Sequence, residues 1–351
     1  MSSILQGIKV LDLTRVVAGP WCTQTLADMP ATVNKMEEPP IGDMTRRLPP
    51  MLRSDGETVP GMSAFFMGSN RGKQSLTVNI TTPEGRELLR DLATHCDVVV
   101  ENYKAGSLKK YGLDYDSLRE LKPDLVYCSV TGFGIDGPYA KRPAYDFILQ
   151  GMAGLMSTCG HADGEAGAMP MRTAVPITDI FTGLYACIAV QGALFHRERT
   201  GEGQYIDMGM IDAAVAVNAH LALEFLMTGQ PPRRAGNTNP VGAPSDVFAC
   251  SDGYIIIAAG SDGQFAALAR VLGHPQWAQD ERFATPASRI AHRRALRELM
   301  AEVVERWNKR ELELALNEAI VPCGPINDLG EMFEDPQVKH RGLAVSLAHT
   351  H

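Results

Sequence analysis

Short β-type runs alternate with helical ones through the first half of the chain. IKVLDL (8–13), ATVNKME (31–37), KQSLTVNI (73–80), CDVVVEN (96–102) and DLVYCSVTG (124–132) read as strands. A helix is predicted from Trp21 to Met29, a second opens at Pro83 and runs as EGRELLRDLATH, and a third lies near Tyr115–Leu121. Strand, helix and strand repeated in this way imply a parallel sheet wound with helices, so the fold class is α/β. VPITDIFTGLYACIAVQGALF (175–195) is apolar with small residues, too long for a strand and suited to a buried helix. GQYIDMGM (203–210) reads as a strand and IDAAVAVNAHLALEFLMTG as one further helix. QPPRRAGNTNPVGAPSD (230–246) is rich in Pro, Gly and Asn and marks a boundary. Beyond it, DVFACSDGYIIIAAG gives a hairpin around Asp252-Gly253, and helices follow at about 263–272, 289–306 and 310–319.

Composition narrows the function. With 33 Lys+Arg against 41 Asp+Glu the formal net charge is -8, so no global basic field exists to hold nucleic acid or an anionic membrane surface. No stretch approaches the roughly 20 uninterrupted apolar residues of a spanning helix, and the mean hydropathy is -0.10. The N-terminal residues enter an alternating segment at once, without the plan of a signal peptide, and a cytoplasmic protein is expected. The 7 cysteines are scattered and include no CxxC pair, the pattern of reduced core thiols.

Several motifs invite chemical readings. GFGIDG (132–137) matches a dinucleotide fingerprint and follows a strand, but Pro138 and Pro143 prevent the helix that must begin there to face a pyrophosphate. It reads as a turn-rich loop. His161, Asp163 and Glu165 in HADGE sit in a small-residue loop and read as solvated rather than as metal ligands. Asp179 is the one charged residue between Arg172 and Arg197. A carboxylate in such a segment must be paired, capping or functional; its place near the start of a predicted helix leaves cap and function both open. Arg71, Lys73, Lys104, Lys109 and Lys110 lie on loops at strand ends, where open α/β sheets bind ligands. They suit a phosphorylated ligand or a solvated basic face, and Asn102 suits a ligand contact or a cap.

VLDLTRVVAGPWCTQTLADM, NRGKQSLTVNITTPEGRELL, CDVVVENYKAGSLKKYGLDYDSL, LVYCSVTGFGIDGPYAKRPAYDFILQ, VPITDIFTGLYA, RTGEGQYIDMGMIDA and VPCGPIND occur in order over nearly the whole chain. Together they resemble the class III CoA-transferases. The resemblance implies a discontinuous, Rossmann-like large domain with a smaller inserted α+β domain: residues 1–228 as the CoA-binding part, 229–320 as linker and insert, and 321–351 as the return. It implies an interlocked homodimer, acyl-CoA and a carboxylic acid acceptor as substrates, and no metal or permanent cofactor.

By position, the resemblance makes Asp179 the nucleophile, passing through mixed anhydrides and a β-aspartyl-CoA thioester. It sets CoA against Arg15, Val17, Ala18, Val78, Asn79, Ile80, Thr81, Asn102, Tyr103 and Lys110, with Arg46 and Arg71 near the phosphates. Tyr145 and Asp146 would line the approach to the nucleophile. Where the family has basic CoA contacts this chain has Glu38 and Thr81, its second strand carries Pro30 and Asn34, and the family's Gly-rich lid is replaced by segments such as GNTNPVGAP. Members usually run on beyond the point where this chain stops. An α-methylacyl-CoA racemase, the divergent branch of the group, is the alternative function; it needs two acid/base groups on opposite faces of the substrate, and Tyr145 stands where the racemases carry a His. A non-catalytic CoA-binding protein is the second alternative.

Overall fold

A computed structural model describes residues 4–346 and divides into two compact units. Unit 1 comprises residues up to Cys159 together with Pro170–Pro232. Its elements are β1 (Lys9–Leu13), α1 (Ala18–Asp28), β2 (Thr32–Glu37), β3 (Met51–Ser54), β4 (Glu57–Ser63), α2 (Ala64–Asn70), β5 (Gln74–Thr77), α3 (Pro83–Thr94), β6 (Val98–Glu101), α4 (Tyr115–Leu121), β7 (Val126–Thr131), α5 (Asp146–Met152), α6 (Leu155–Thr158), α7 (Ile177–Thr200), β8 (Tyr205–Gly209), α8 (Met210–Val217) and α9 (Ala219–Thr228).

One six-stranded sheet runs in the order β5-β2-β1-β6-β7-β8, and each neighbouring pair is parallel. The order reverses between β1 and β6. Helices cover both faces, so the central strands need apolar residues at successive positions rather than alternate ones. Val10, Val98, Val100 and Cys128 pack with Cys22 and Leu26 of α1 and Ala186 and Val190 of α7. Leu11, Leu13, Val99 and Tyr127 pack on the other face with Leu89 of α3 and Leu118 of α4.

Helix α7 crosses α1 closely because Gly183 has no side chain. A Cβ there would stand 2.7 Å from the Ala18 carbonyl oxygen and 2.8 Å from the Trp21 Cβ. This approach brings the first turn of α7 beside the first turn of α1. By length and composition α7 could cross a membrane, yet one face, from Thr178 through Val190 to Arg197, is buried in the fold.

Three features depart from the sequence expectation. The stretch between β2 and β5, to which the sequence pattern assigned no element, contains the β3–β4 hairpin and α2. The segment before residue 175 contains α5 and α6. The helix expected over 211–229 is two helices bent by 76°, because the Asn218 side chain donates to the Ala214 carbonyl at 3.1 Å and to the Ala153 carbonyl at 2.9 Å and Ala219 has φ 44°.

Unit 2 comprises Gly160–Met169 and the residues from Arg233 on. It holds β9 (Ser245–Cys250), β10 (Gly253–Ala258), α10 (Asp262–Val271), α11 (Pro286–Ala291), α12 (Arg293–Val304), α13 (Lys309–Glu318), β11 (Cys323–Pro325), α14 (Leu329–Glu334) and α15 (Pro336–His340). The sheet order β11-β10-β9 is antiparallel. Its core gathers Phe248, Ile255, Phe265, Leu268, Leu296, Met300 and Leu312. Arg289, fully buried, holds the loops by donating to the carbonyls of Ala243, Phe283 and Gly260. The described residues after 320 stay with this unit, since β11 pairs with β10, whereas the sequence reading expected them to return to the large domain; residues 347–351 lie outside the described part. The HADGE loop also belongs here, with Asp163 spent in an ion pair with Arg234.

Candidate active site

Strand β1 ends at the point where strand order reverses, and the chain leaves it through Thr14, Arg15 and Val16. Val16 has φ 72°, a genuine outlier for a β-branched residue. A buried ionic network holds it there. Lys35 of β2 donates to the Thr14 carbonyl at 2.8 Å and pairs with Asp43 at 3.0 Å, and the Asp43 carboxylate accepts the Val16 N–H at 3.3 Å. Behind them Lys73 pairs with Asp12 at 3.0 Å, while Asp12 accepts from the hydroxyls of Thr14 and Thr23. Burial alone would raise the Asp12 carboxyl; Lys73, Lys35 and the two hydroxyls outweigh it and hold it below the usual carboxylate range. Asn102, just past β6, closes the junction by accepting the Arg15 N–H at 2.8 Å and donating to the Arg15 carbonyl at 2.6 Å.

A cavity of about 760 Å³ opens over these strand ends. Arg15, Val16, Val17 and Ala18 form one wall, Glu38 to Gly42 after β2 a second, and Asn102 to Ala105 after β6 a third. The end of β7 and the segment Ala140–Tyr145 complete it, with Asp179 and Met210. This is where ligands of open parallel sheets bind.

Asp179 is the third residue of α7. The residue capping that helix is Pro176, which has no side chain able to cap it. The N–H groups of Thr178 and Asp179 go instead to Asp146 Oδ1, at 2.8 and 3.3 Å. Asp146 is fixed in turn: its Oδ2 accepts from Gln150 Nε2 at 2.7 Å. Gln150 is fully buried, and its Oε1 accepts from the N–H of Thr173 at 3.0 Å. The helix end is thus satisfied from outside, and among the described residues the Asp179 carboxylate takes part in no hydrogen bond or ion pair. Capping does not account for it. Burial, and secondarily the Asp146 charge, raise its pKa to about 7.

The cavity gathers Arg15, Val17, Ala18, Glu38, Asn102, Tyr103, Lys104, Tyr145 and Asp179 of the residues singled out in the sequence. Asp146 faces the end of α7 rather than the cavity. The remaining positions lie elsewhere. Arg46 clasps Glu37 with both contacts at 2.6 Å and lies 3.6 Å above the Phe66 ring. Arg71 pairs with Asp28 at 3.0 Å. Val78 and Ile80 are core residues, Asn79 and Thr81 are bonded to each other, and Lys110 stands over the Tyr111 ring at 4.6 Å. Arg142, Lys141, Val16 and Gln150 had no role in the sequence reading. Their positions follow from tertiary pairing; the RP of AKRPAYD was the sole local hint of Arg142.

These features define a doubly wound α/β protein whose ligand cavity, at the strand-order switch, holds an unpartnered carboxylate at a helix end. Comparison with known proteins makes the class specific. The sequence model of CoA-transferase family III matches residues 5–351. A succinate–glutarate CoA-transferase of Agrobacterium fabrum is 49% identical over 98% of this chain and 85% of its own. The human succinyl-CoA:glutarate CoA-transferase is 36% identical over 98% of this chain and 76% of its own. A crystal structure of a CAIB/BAIF family protein from Brucella suis superposes with a TM-score of 0.91 at 47% identity, covering 98% of this chain and 89% of that one. The chain belongs to CoA-transferase family III and is a CoA-transferase.

Proposed function

We propose that the protein moves coenzyme A between dicarboxylic acids, with Asp179 as covalent nucleophile. The observation that carries this is the Asp179 carboxylate, which faces the cavity unpartnered while Asp146 does the capping. The names of the relatives, succinate–glutarate, succinyl-CoA:mesaconate and acetyl-CoA:oxalate CoA-transferases, support dicarboxylates as the substrate class. The carboxylate oxygen attacks the thioester carbonyl; a C–O bond forms, the C–S bond breaks, and CoA thiolate leaves. The thiolate attacks the aspartyl carbonyl of the mixed anhydride, expelling the donor acid and leaving a β-aspartyl-CoA thioester. The acceptor carboxylate displaces the thiolate in a second anhydride, which the thiolate resolves at the acceptor's acyl carbon, regenerating Asp179. Splitting the exchange in this way lowers each barrier. Arg15, Val17, Ala18, Asn102 and Tyr103 are proposed to carry the CoA, with Arg15 lying 4.2 Å over the Tyr103 ring. The test is covalent trapping: incubation with succinyl-CoA and then borohydride or hydroxylamine should give a modified peptide containing Asp179 by mass spectrometry, and unmodified protein that is turning over would overturn the mechanism.

The pH dependence follows from the same geometry. The attacking form is the carboxylate, so kcat/KM for the acyl-CoA should fall as pH drops below about 7, with a single ionisation. Asp146 raises that pKa by its charge. D146N should therefore move the midpoint to lower pH, although burial keeps it above the ordinary value. An unmoved midpoint would show that another group controls the profile.

The homodimer is part of the proposal. Phe147 and Ile148 of α5, Leu184, Ile188 and Phe195 of α7, and Leu223, Leu226 and Met227 of α9 are all exposed. Apolar surface of this extent marks an interaction face, and a second copy of the chain suits it. Sedimentation equilibrium should give a dimer at micromolar concentration; a monomer would remove this part.

A further inference from the structure

We propose that Arg142 holds the distal carboxylate of the dicarboxylic substrate while the other end reacts at Asp179. The inference rests on the transferase reading above and specifies how that site selects its acid. Arg142 lies in the wall of the Asp179 cavity. Its guanidinium stands 4.4 Å from the centre of the Tyr139 ring and 5.5 Å from that of Phe133, and those two rings pack edge to face at 5.5 Å. Among the described residues it makes no hydrogen bond and no ion pair. Arg46, Arg71 and Lys73 are committed outside the cavity to Glu37, Asp28 and Asp12, whereas Arg15, Lys104 and Lys141 share its lining with Arg142; of these four, Arg142 alone is held over two aromatic rings.

An arginine held over an aromatic ring keeps its N–H edge for a planar, bidentate acceptor, and Arg142 is exposed to take one. A carboxylate is such an acceptor. Lys141 beside it is a point charge on a flexible stem, exposed and held over no ring among the described residues. The place in the chain distinguishes this arginine from Arg15. Arg15 sits where β1 meets α1, whose N-terminus carries no side-chain cap, a setting for phosphate. Arg142 belongs instead to the segment that delivers Tyr145 to the cavity and Asp146 to the helix of Asp179. It is therefore assigned to the acid end of the substrate. A monocarboxylate of the same length would leave the guanidinium unpaired, and the site would reject it through that loss.

The experiment compares succinate with butyrate as acceptor, using the full chain, glutaryl-CoA as donor so that transfer to either acid is a net reaction, and wild type, R142Q and R142K. Because the exchange is ping-pong, kcat/KM for the acceptor reports the acceptor half-reaction alone. Wild type should prefer succinate. R142Q should lose roughly 10- to 100-fold in kcat/KM for succinate while butyrate changes little, and R142K should recover part of the loss. Retained butyrate transfer shows that the variant is folded. An equal loss for both acceptors overturns the proposal, as does a rise confined to the KM of the CoA thioester, which would assign Arg142 to a phosphate. A wild type that transfers CoA to neither acid removes the dicarboxylate reading itself, a result separate from the R142Q comparison.

Discussion

Asp179→Asn should abolish CoA transfer, lowering kcat by on the order of 10⁴-fold or more, while leaving the fold intact. The side chain keeps its size, and no hydrogen bond is lost because the carboxylate makes none among the described residues. The amide is no nucleophile toward a thioester, so the trapped adduct should vanish with the activity. Stability should move the other way. Burial and the Asp146 charge raise the folded pKa to about 7 from 3.8, so the folded state binds the proton more tightly than the unfolded state, and ionisation costs stability as pH rises between those values. Asn carries no such cost. At pH 8 the variant should be more stable than the parent by roughly 2 kcal/mol after discounting for partial exposure, and below pH 4 the gap should close. Chemical denaturation at the two pH values, run beside the assay, checks both halves. A variant that loses activity and stability together would mean that Asp179 is structural.

The parts legible in the sequence are those where one segment carries its own signal. The central strands β1, β6 and β7 are buried on both faces, and so read as short apolar runs whatever surrounds them. Asp179 stood out because it is isolated in an apolar helix. Its two readings could not be separated there, since the group that caps the helix, Asp146, lies on another element. The β3–β4 hairpin did carry a signal, Asp55-Gly56, at positions with φ 49° and 83°, but the surrounding prolines and polar residues hid the strands. Arg46, Arg71 and Lys110 were expected near CoA from the family resemblance, and Arg71 and Lys110 also as loop cations at strand ends. Arg46 and Arg71 are drawn off by partners elsewhere in the fold, Glu37 and Asp28, while Lys110 lies outside the cavity over the ring of its own neighbour Tyr111. Charge is visible in a sequence and pairing is not. Gln150 shows the same limit, as nothing local distinguishes a glutamine that fixes Asp146 from one on a surface.

Lys73→Met should be the most damaging change away from the nucleophile, costing about 3–5 kcal/mol of stability at pH 7. The Lys73 ammonium is almost wholly buried, and its donors go to Asp12 at 3.0 Å, the Pro20 carbonyl at 3.0 Å and Asn70 Oδ1 at 2.8 Å. Burial lowers its pKa to about 8, still above neutrality, so the pair is ionised at pH 7. Methionine matches the volume but leaves the fully buried Asp12 with one cation fewer and Asn70 Oδ1 without its donor. In the parent Asp12 titrates below 3.8 in the folded state, so its contribution is present above that value and lost only as pH falls through the lowered pKa. In the variant burial dominates and the Asp12 pKa rises, so the deficit should narrow as the solution is acidified from pH 7 toward 4. The double variant D12L/K73M should recover part of the loss, because the cost comes from an unpaired buried charge rather than from the missing pair. If the double variant is as unstable as the sum of the singles, the network is not coupled as the geometry requires. The network lies directly behind Thr14 to Ala18, where a valine is held at φ 72°, and strain of that kind persists only where the surroundings over-determine it. K73M should accordingly raise the KM for acyl-CoA as well as lower the Tm, while the acceptor's KM, set at the other wall of the cavity, should move less.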